Sequence, residues 1–208
     1  KEFFTLAGEG MATGDTVLVQ GAGPMGICHI IKARMLGAGT IVATDVSDYR
    51  LGLAIEFGAD CTLNVTQSSP QERIDQVRAL THGRGADVVV ECVGRAEVVV
   101  EGIEMLRKGG SYIEAGNFVE TGDITLSPHR HLCAKNVRLY GMTNHPFTGY
   151  TPSMQMLVRT ARQFPYDKFV SHVYPLARTP EAMLRALEPD TLKVVVAPWQ
   201  AQASGVGV

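Results

Sequence analysis

The chain has 208 residues, of which 45% are hydrophobic and 19% charged, with a formal net charge of -2. These proportions suit a soluble globular protein with room for a substantial core. They give no basic footprint for nucleic acid or an anionic membrane, and no apolar stretch approaches a transmembrane length.

The first eleven residues, Lys1 to Met11, read as a short helix ended by Thr13-Gly14-Asp15. Thr16-Val17-Leu18-Val19-Gln20 is an apolar run with the character of a buried strand. Ile27, Ile30, Ile31 and Met35 then recur at helical spacing. Between the two stands Gly21-Ala22-Gly23-Pro24-Met25-Gly26. In a strand-turn-helix, Gly21 makes the tight turn, Gly23 lets phosphates approach the main chain, and Gly26 lets helix and strand pack closely. Pro24 falls near the helix start, where its missing N–H costs little. The helix's positive end, with the N–H groups around Met25, would then face a pyrophosphate.

A second strand, Ile41-Val42-Ala43-Thr44, ends at Asp45, 19 residues after Gly26. A carboxylate there can accept hydrogen bonds from both adenosine ribose hydroxyls and would repel a 2′-phosphate, which favours NAD over NADP. The competing reading of Asp45 is an acid capping the next helix beside Ser47. Arg50 has two readings as well, stacking on adenine or reaching the ribose against simple solvation.

Ser47 to Phe57 reads as a helix closed by Gly58, followed by a strand over Ala59 to Asn64. Ser69-Pro70-Gln71-Glu72 is a capping-box signature, with Ile74, Val77 and Leu80 as the buried face of its helix. Gly83-Arg84-Gly85 precedes a fourth strand, Asp87 to Glu91. A helix presenting Val98, Val99, Ile103 and Leu106 is expected to end at Gly109-Gly110. A fifth strand takes Ser111 to Ala115 and a sixth Val137 to Tyr140. Cys92, Val93 and Gly94 follow the fourth strand, Gly116 and Asn117 the fifth, and Met142 and Thr143 the sixth. All fall at strand C-termini, where a nicotinamide half would lie. Cys92 reads as a small buried thiol in preference to a nucleophile.

The last quarter reads as a helix (Tyr150 to Gln163), a short strand (Phe169 to Tyr174), a helix (Thr179 to Leu187) and a final strand (Lys193 to Ala197). The expected fold is therefore α/β: a doubly wound parallel sheet of Rossmann type, with six main strands, helices on both faces and a short C-terminal return segment. The expected domain division is 1–165 for nucleotide binding, 166–199 for a C-terminal segment, and 200–208 for a tail. That segment would either complete the domain or return to a missing catalytic one.

The four cysteines (Cys28, Cys61, Cys92, Cys133) form no CxxC pair and suit reduced, cytoplasmic thiols. His129, His131 and Cys133 would share one face of an extended chain, but three ligands within five residues rarely close around a tetrahedral ion. A polar loop or strand edge is the preferred reading, with no metal site assigned. His29, His82, His145 and His172 stand alone and read as surface or packing residues.

The order Gly14-Asp15-Thr16-Val17-Leu18-Val19, Gly21 to Gly26, Asp45 with Arg50, Gly58-Ala59-Asp60, Gly85 to Glu91 and Leu106-Arg107-Lys108-Gly109-Gly110 resembles the coenzyme domain of zinc-containing medium-chain alcohol dehydrogenases. The resemblance runs from about Ala7 to Pro198. It implies NAD-dependent, reversible oxidation of a small-molecule alcohol to a ketone or aldehyde. It also implies a base at Lys193 near the pyrophosphate, and a homo-oligomer (dimer or tetramer) paired through the sixth strand at the sheet edge. In that family the zinc and its ligands come from an N-terminal GroES-like domain, of which this sequence carries no Gly-His-Glu segment. The chain thus reads as the nucleotide half of a longer enzyme, with no catalytic residue of its own. Zinc is expected only in the missing part. Alternatives are a stand-alone NAD-binding module, a methyltransferase, and a zinc-free quinone reductase. Gly26 counts against the methyltransferase, and Asp45 against an NADPH-preferring reductase.

Overall fold

A computed structural model describes residues 10–144 and 147–199. The expected opening helix, apart from its last two residues, and the tail lie outside the described residues, as do His145 and Pro146. Six parallel strands form one sheet: β1 (Thr16–Gln20), β2 (Thr40–Asp45), β3 (Cys61–Asn64), β4 (Ala86–Glu91), β5 (Leu106–Glu114) and β6 (Arg138–Gly141). Their order is β3-β2-β1-β4-β5-β6. Val17 sits opposite Ile41 on one side and Val88 on the other, so β1 is central and its neighbours leave in opposite directions. That reversal is the switch point of a doubly wound fold, and the expected Rossmann architecture is what the chain adopts.

Alternation along β1 divides the core. Val17 and Val19 face Ile27, Ile30 and Ile31 of α1 (Pro24–Met35) and Leu51 and Phe57 on and beside α2 (Asp48–Glu56). Leu18 faces the other way, with Ile74 and Val77 of α3 (Pro70–Leu80) and Val99 and Ile103 of α4 (Glu97–Met105). A sheet buried on both faces needs near-continuous apolar strands, which is why these runs show no polar alternation.

The helix starts follow the sequence signals. The Ser47 hydroxyl accepts from Arg50 N–H, and Ser69 with Glu72 forms the full capping box. One buried-face assignment fails: Leu80, the last residue of its helix, is 44% exposed, and Met35, which continues the helical spacing of α1, is 40% exposed.

The fourth helix also stops early, at Met105 and not at Gly109-Gly110. Leu106 is buried as expected, but in extended backbone, pairing with Ala86 across a bulge. Lys135 Nζ caps the abandoned carbonyls of Ile103 and Glu104 at 2.6 and 3.0 Å. The helical spacing of Leu106 from Ile103 thus coincided with an inward strand position.

After β6 come α5 (Tyr150–Thr160), β7 (His172–Pro175), α6 (Thr179–Arg185) and β8 (Val194–Ala197), with β7 and β8 paired in parallel as a separate sheet. α5, β7 and α6 are shorter than their patterns suggested. Phe164, Tyr166 and Phe169 lie against Phe57 or its neighbours, so this segment packs on the α1–α2 face. Among the described residues no helix is long and apolar enough to cross a membrane.

Candidate functional site

Because all six strands run parallel, their carboxyl ends share one edge of the sheet, and the loops leaving that edge build the site. Gly21 leaves β1 at φ +89°, a left-handed conformation that glycine adopts without steric cost. Its N–H donates to Thr44 O at 2.7 Å, tying the turn to β2. At Gly26 a Cβ would stand 1.8 Å from Gly21 O, so the helix can lie this close to the turn only with glycine there.

Gly23 differs from both. Its φ is an ordinary -68°, and a Cβ there would meet nothing within 4 Å. Neither backbone conformation nor protein packing demands glycine at this position. The open space lies at the start of α1, whose end has Pro24 as first residue and no side-chain cap, whereas α2 and α3 are each capped by serine. An uncapped helix end facing open space, with glycine keeping that space clear, fits a phosphate group.

Asp45 lies at the end of β2 and is nine-tenths buried. Its Oδ2 accepts from Ala22 N–H at 2.8 Å and its Oδ1 from Ser47 N–H at 2.9 Å. One carboxylate thereby ties the glycine turn to the entrance of α2, as the capping reading of this acid expects. Each oxygen retains a second lone pair, which leaves it able to accept a further hydroxyl.

The guanidinium of Arg50 goes elsewhere. Its Nε donates to Thr191 O at 2.8 Å and an Nη to Glu188 O at 3.4 Å, while Ser47 Oγ donates to Pro189 O at 2.5 Å. The start of α2 is thereby clamped to residues 188–191. Lys193 lies just beyond that clamp with an exposed side chain, and its carbonyl accepts from Ser171 N–H.

On the other side of the switch point, Val93 and Cys92 stand against Gly21. A Cβ on Gly21 would lie 3.0 Å from Val93 Cγ2 and 3.1 Å from the Cys92 carbonyl. Burial pushes the Cys92 thiol well above its ordinary range, and the nearby Glu91 carboxyl adds to the shift. A thiol held protonated is a poor nucleophile, which agrees with the packing role. Gly94, at φ +76°, and Gly116 approach so closely that a Cβ on Gly94 would be 2.7 Å from Gly116 O. Asn117 turns its amide inward onto Glu114 and Glu91. Met142 follows β6 with its N–H on Glu114 O at 2.9 Å, and both it and Thr143 are exposed.

Two residues that the motifs pass over organise this half. Glu91 is completely buried, and Glu114 faces it in register on β5. Burial, with a hydrogen bond from Glu114, raises the Glu91 carboxyl to about 7. The available signal was an acid at or next to the end of each of two expected strands, Asp87 to Glu91 and Ser111 to Ala115.

The His129–Cys133 segment is not extended. Pro128–Cys133 forms a π-helical turn, and His131 is buried with Nδ1 accepting from Ser127 N–H and Nε2 3.2 Å from Glu104. Among the described residues no group of three or more His, Cys, Asp or Glu side chains is placed to hold a metal ion. They do not fit a zinc centre.

Residues 24–159 match the family model described as zinc-binding dehydrogenase. The chain is 32% identical over 169 residues to 5-exo-hydroxycamphor dehydrogenase of Pseudomonas putida, covering 81% of the chain and 46% of that protein. Over 173 residues it is 33% identical to sorbitol dehydrogenase of Macaca fascicularis, covering 83% and 46%. Among solved structures, an alcohol dehydrogenase from Thermotoga maritima superposes with a TM-score of 0.83 at 34% identity, over 88% of this chain and 50% of that one. The chain thus spans about half the length of the relatives it matches.

Proposed function

Since the chain belongs to the zinc-binding dehydrogenase family, we propose that it is the NAD(H)-binding part of an oxidoreductase acting on a small alcohol or carbonyl compound. The observation that carries this reading is the pairing of Asp45 with Ala22 beside the open space at Gly23. N–H donors for a phosphate and a carboxylate acceptor for a hydroxyl are thereby held side by side. In this reading Gly21, Gly23, Pro24, Met25 and Gly26 form the pyrophosphate cradle, and Asp45 takes the ribose hydroxyls. The buried charge of Asp45 disfavours a 2′-phosphate, so within this NAD(P)-using family the preferred coenzyme of this chain is NAD.

Cys92, Val93, Gly116, Asn117, Met142 and Thr143 border the nicotinamide half, where they orient the ring and exclude water. Arg50 serves by clamping residues 188–191 beside the adenosine end, and Lys193 offers a cation toward the pyrophosphate. When bound, the coenzyme supplies a hydride acceptor or donor. What this chain contributes is binding, orientation and a fixed electrostatic field. Polarisation of the substrate oxygen is assigned to no residue here, because the described residues hold no metal-ligand cluster. The division into a nucleotide domain (1–165) and a returning segment (166–199), and a cytoplasmic homo-oligomer formed along the β6 edge, belong to the same proposal.

Direct titration tests it. Fluorescence or calorimetric titration of the chain is expected to give tighter binding for NADH than for NADPH. Equal or reversed affinities would remove the role given to Asp45, and no binding of either would remove the coenzyme reading.

A further inference from the structure

Two carboxyl groups and five N–H donors converge where β4 and β5 end. Glu91 Oε1 accepts from Val93 N–H at 2.5 Å and Gly94 N–H at 2.9 Å, and its Oε2 from Gly116 N–H at 3.1 Å and Asn117 Nδ2 at 3.4 Å. Glu114 Oε1 accepts from both Asn117 N–H and Nδ2, each at 3.1 Å. The other oxygen, Glu114 Oε2, is buried with no donor among the described residues, and Glu114 stands directly opposite Glu91 in the β4–β5 register. Among the described residues, the titratable groups that face this pair are Tyr112 on β5 and Cys92 after β4, with Cys28 of α1 behind Cys92. None of them brings positive charge. Two carboxylates paired across adjacent strands in such a buried place cannot both stay ionised cheaply, and a proton between them would satisfy the one oxygen left without a partner.

The geometry points to Glu91 and Glu114 as a proton-sharing positioning pair, whose single proton fixes the loops 92–95 and 115–118 on the nicotinamide side of the cleft. The inference rests on the dinucleotide reading for what those loops would hold, but not for the proton itself. With the proton present, Glu91 gathers N–H groups from both loops. Without it, two like charges face each other at the loops' common anchor and drive them apart.

The test uses the whole chain at pH 6 and pH 9, with circular dichroism confirming the fold at each. Infrared difference spectra are expected to show the carbonyl stretch of a protonated carboxylic acid at pH 6 that is lost at pH 9. Amide exchange at Val93, Gly94 and Gly116, corrected for the intrinsic base-catalysed rate, is expected to quicken about tenfold over the same interval. Glu114→Gln, which replaces the shared proton by an amide hydrogen, should abolish the infrared change and hold exchange near its pH 6 level throughout. NADH affinity should follow exchange, falling with pH in the native chain and staying level in the variant. Absence of the acid band at pH 6 would overturn the shared proton. A band whose loss leaves both exchange and affinity unmoved would overturn the positioning role. Failure of NADH to bind at either pH would sink the dinucleotide reading, while the spectra and exchange of the native chain would still decide whether the pair holds its proton and its loops.

Discussion

Asp45 and Ala22 are joined by one buried hydrogen bond, 2.8 Å from amide nitrogen to carboxylate oxygen, and through it the second strand holds the turn that leaves the first. The carboxylate is therefore both scaffold and binding group, and substitutions must separate the two. Asp45→Ala would strand the N–H groups of Ala22 and Ser47, at about 1–3 kcal/mol for each buried donor left unsatisfied. Asp45→Asn keeps one of the two acceptors, leaving one of those N–H groups unsatisfied, and loses the charge. We expect Asp45→Asn to weaken NADH binding about tenfold or more, since a hydrogen bond to a charged acceptor contributes about 1.5–3 kcal/mol. NADPH should lose much less. Parallel fluorescence titrations of the two coenzymes check this, and equal losses would contradict it.

The glycines of the turn give a sharper separation. Gly26→Ala places a methyl 1.8 Å from a backbone oxygen, so the turn and helix must part. Its melting temperature should fall by many degrees. Gly23→Val meets no protein atom at its Cβ and should leave stability within about 1 kcal/mol of the native chain. Its branched side chain nevertheless occupies the space claimed for the pyrophosphate, so dinucleotide binding should be lost from a folded protein. Thermal melts run beside titrations distinguish the two outcomes.

The contrast between these glycines shows what could be read from the sequence. Six strands, their order in the chain and the acid after the second strand followed from apolar runs and glycine punctuation, because a sheet buried on both faces leaves a continuous hydrophobic signature. Positions governed by tertiary contact did not follow. Arg50 reads from the sequence as either a nucleotide contact or a solvated side chain, whereas its guanidinium closes on carbonyls of Glu188 and Thr191, some 140 residues away in sequence. The sequence gives Glu91 and Glu114 no role of their own, and only the register of β4 with β5 brings them together. Leu106 kept helical spacing while lying in a strand, since one buried apolar residue satisfies either period.

Away from the site, α3 and α4 are locked by a paired charge. Arg73 donates through Nε and an Nη to the two oxygens of Glu101 at 2.7 and 2.8 Å, and its other Nη donates to the carbonyls of Val65 and Ser68. Both side chains are largely buried, at 8% and 14% exposure. Arg73→Ala should cost about 3–5 kcal/mol, because Glu101 and two carbonyls would be left without their donor. Arg73→Ala together with Glu101→Ala should be less damaging than the sum of the separate losses. Urea denaturation of the three variants closes that cycle.

Stability against pH should carry two opposing slopes. Burial lowers the His29 imidazole to about 4 from an ordinary 6.5, so between those values the unfolded chain binds the extra proton and stability falls on acidification. Burial and the Glu114 contact raise Glu91 to about 7 from 4.5, so there the folded chain binds the extra proton and stability rises on acidification. The two windows overlap from 4.5 to 6.5, where the native chain should change least. His29→Gln should unmask the Glu91 slope, giving a protein that grows more stable as pH drops from 7 toward 4.5. Glu91→Gln should unmask the opposite slope, with stability lost from 6.5 downward. Denaturation midpoints across that range, measured for both variants, would show slopes of opposite sign. Parallel slopes would mean that at least one of the two groups titrates in the folded chain as it does in the unfolded one.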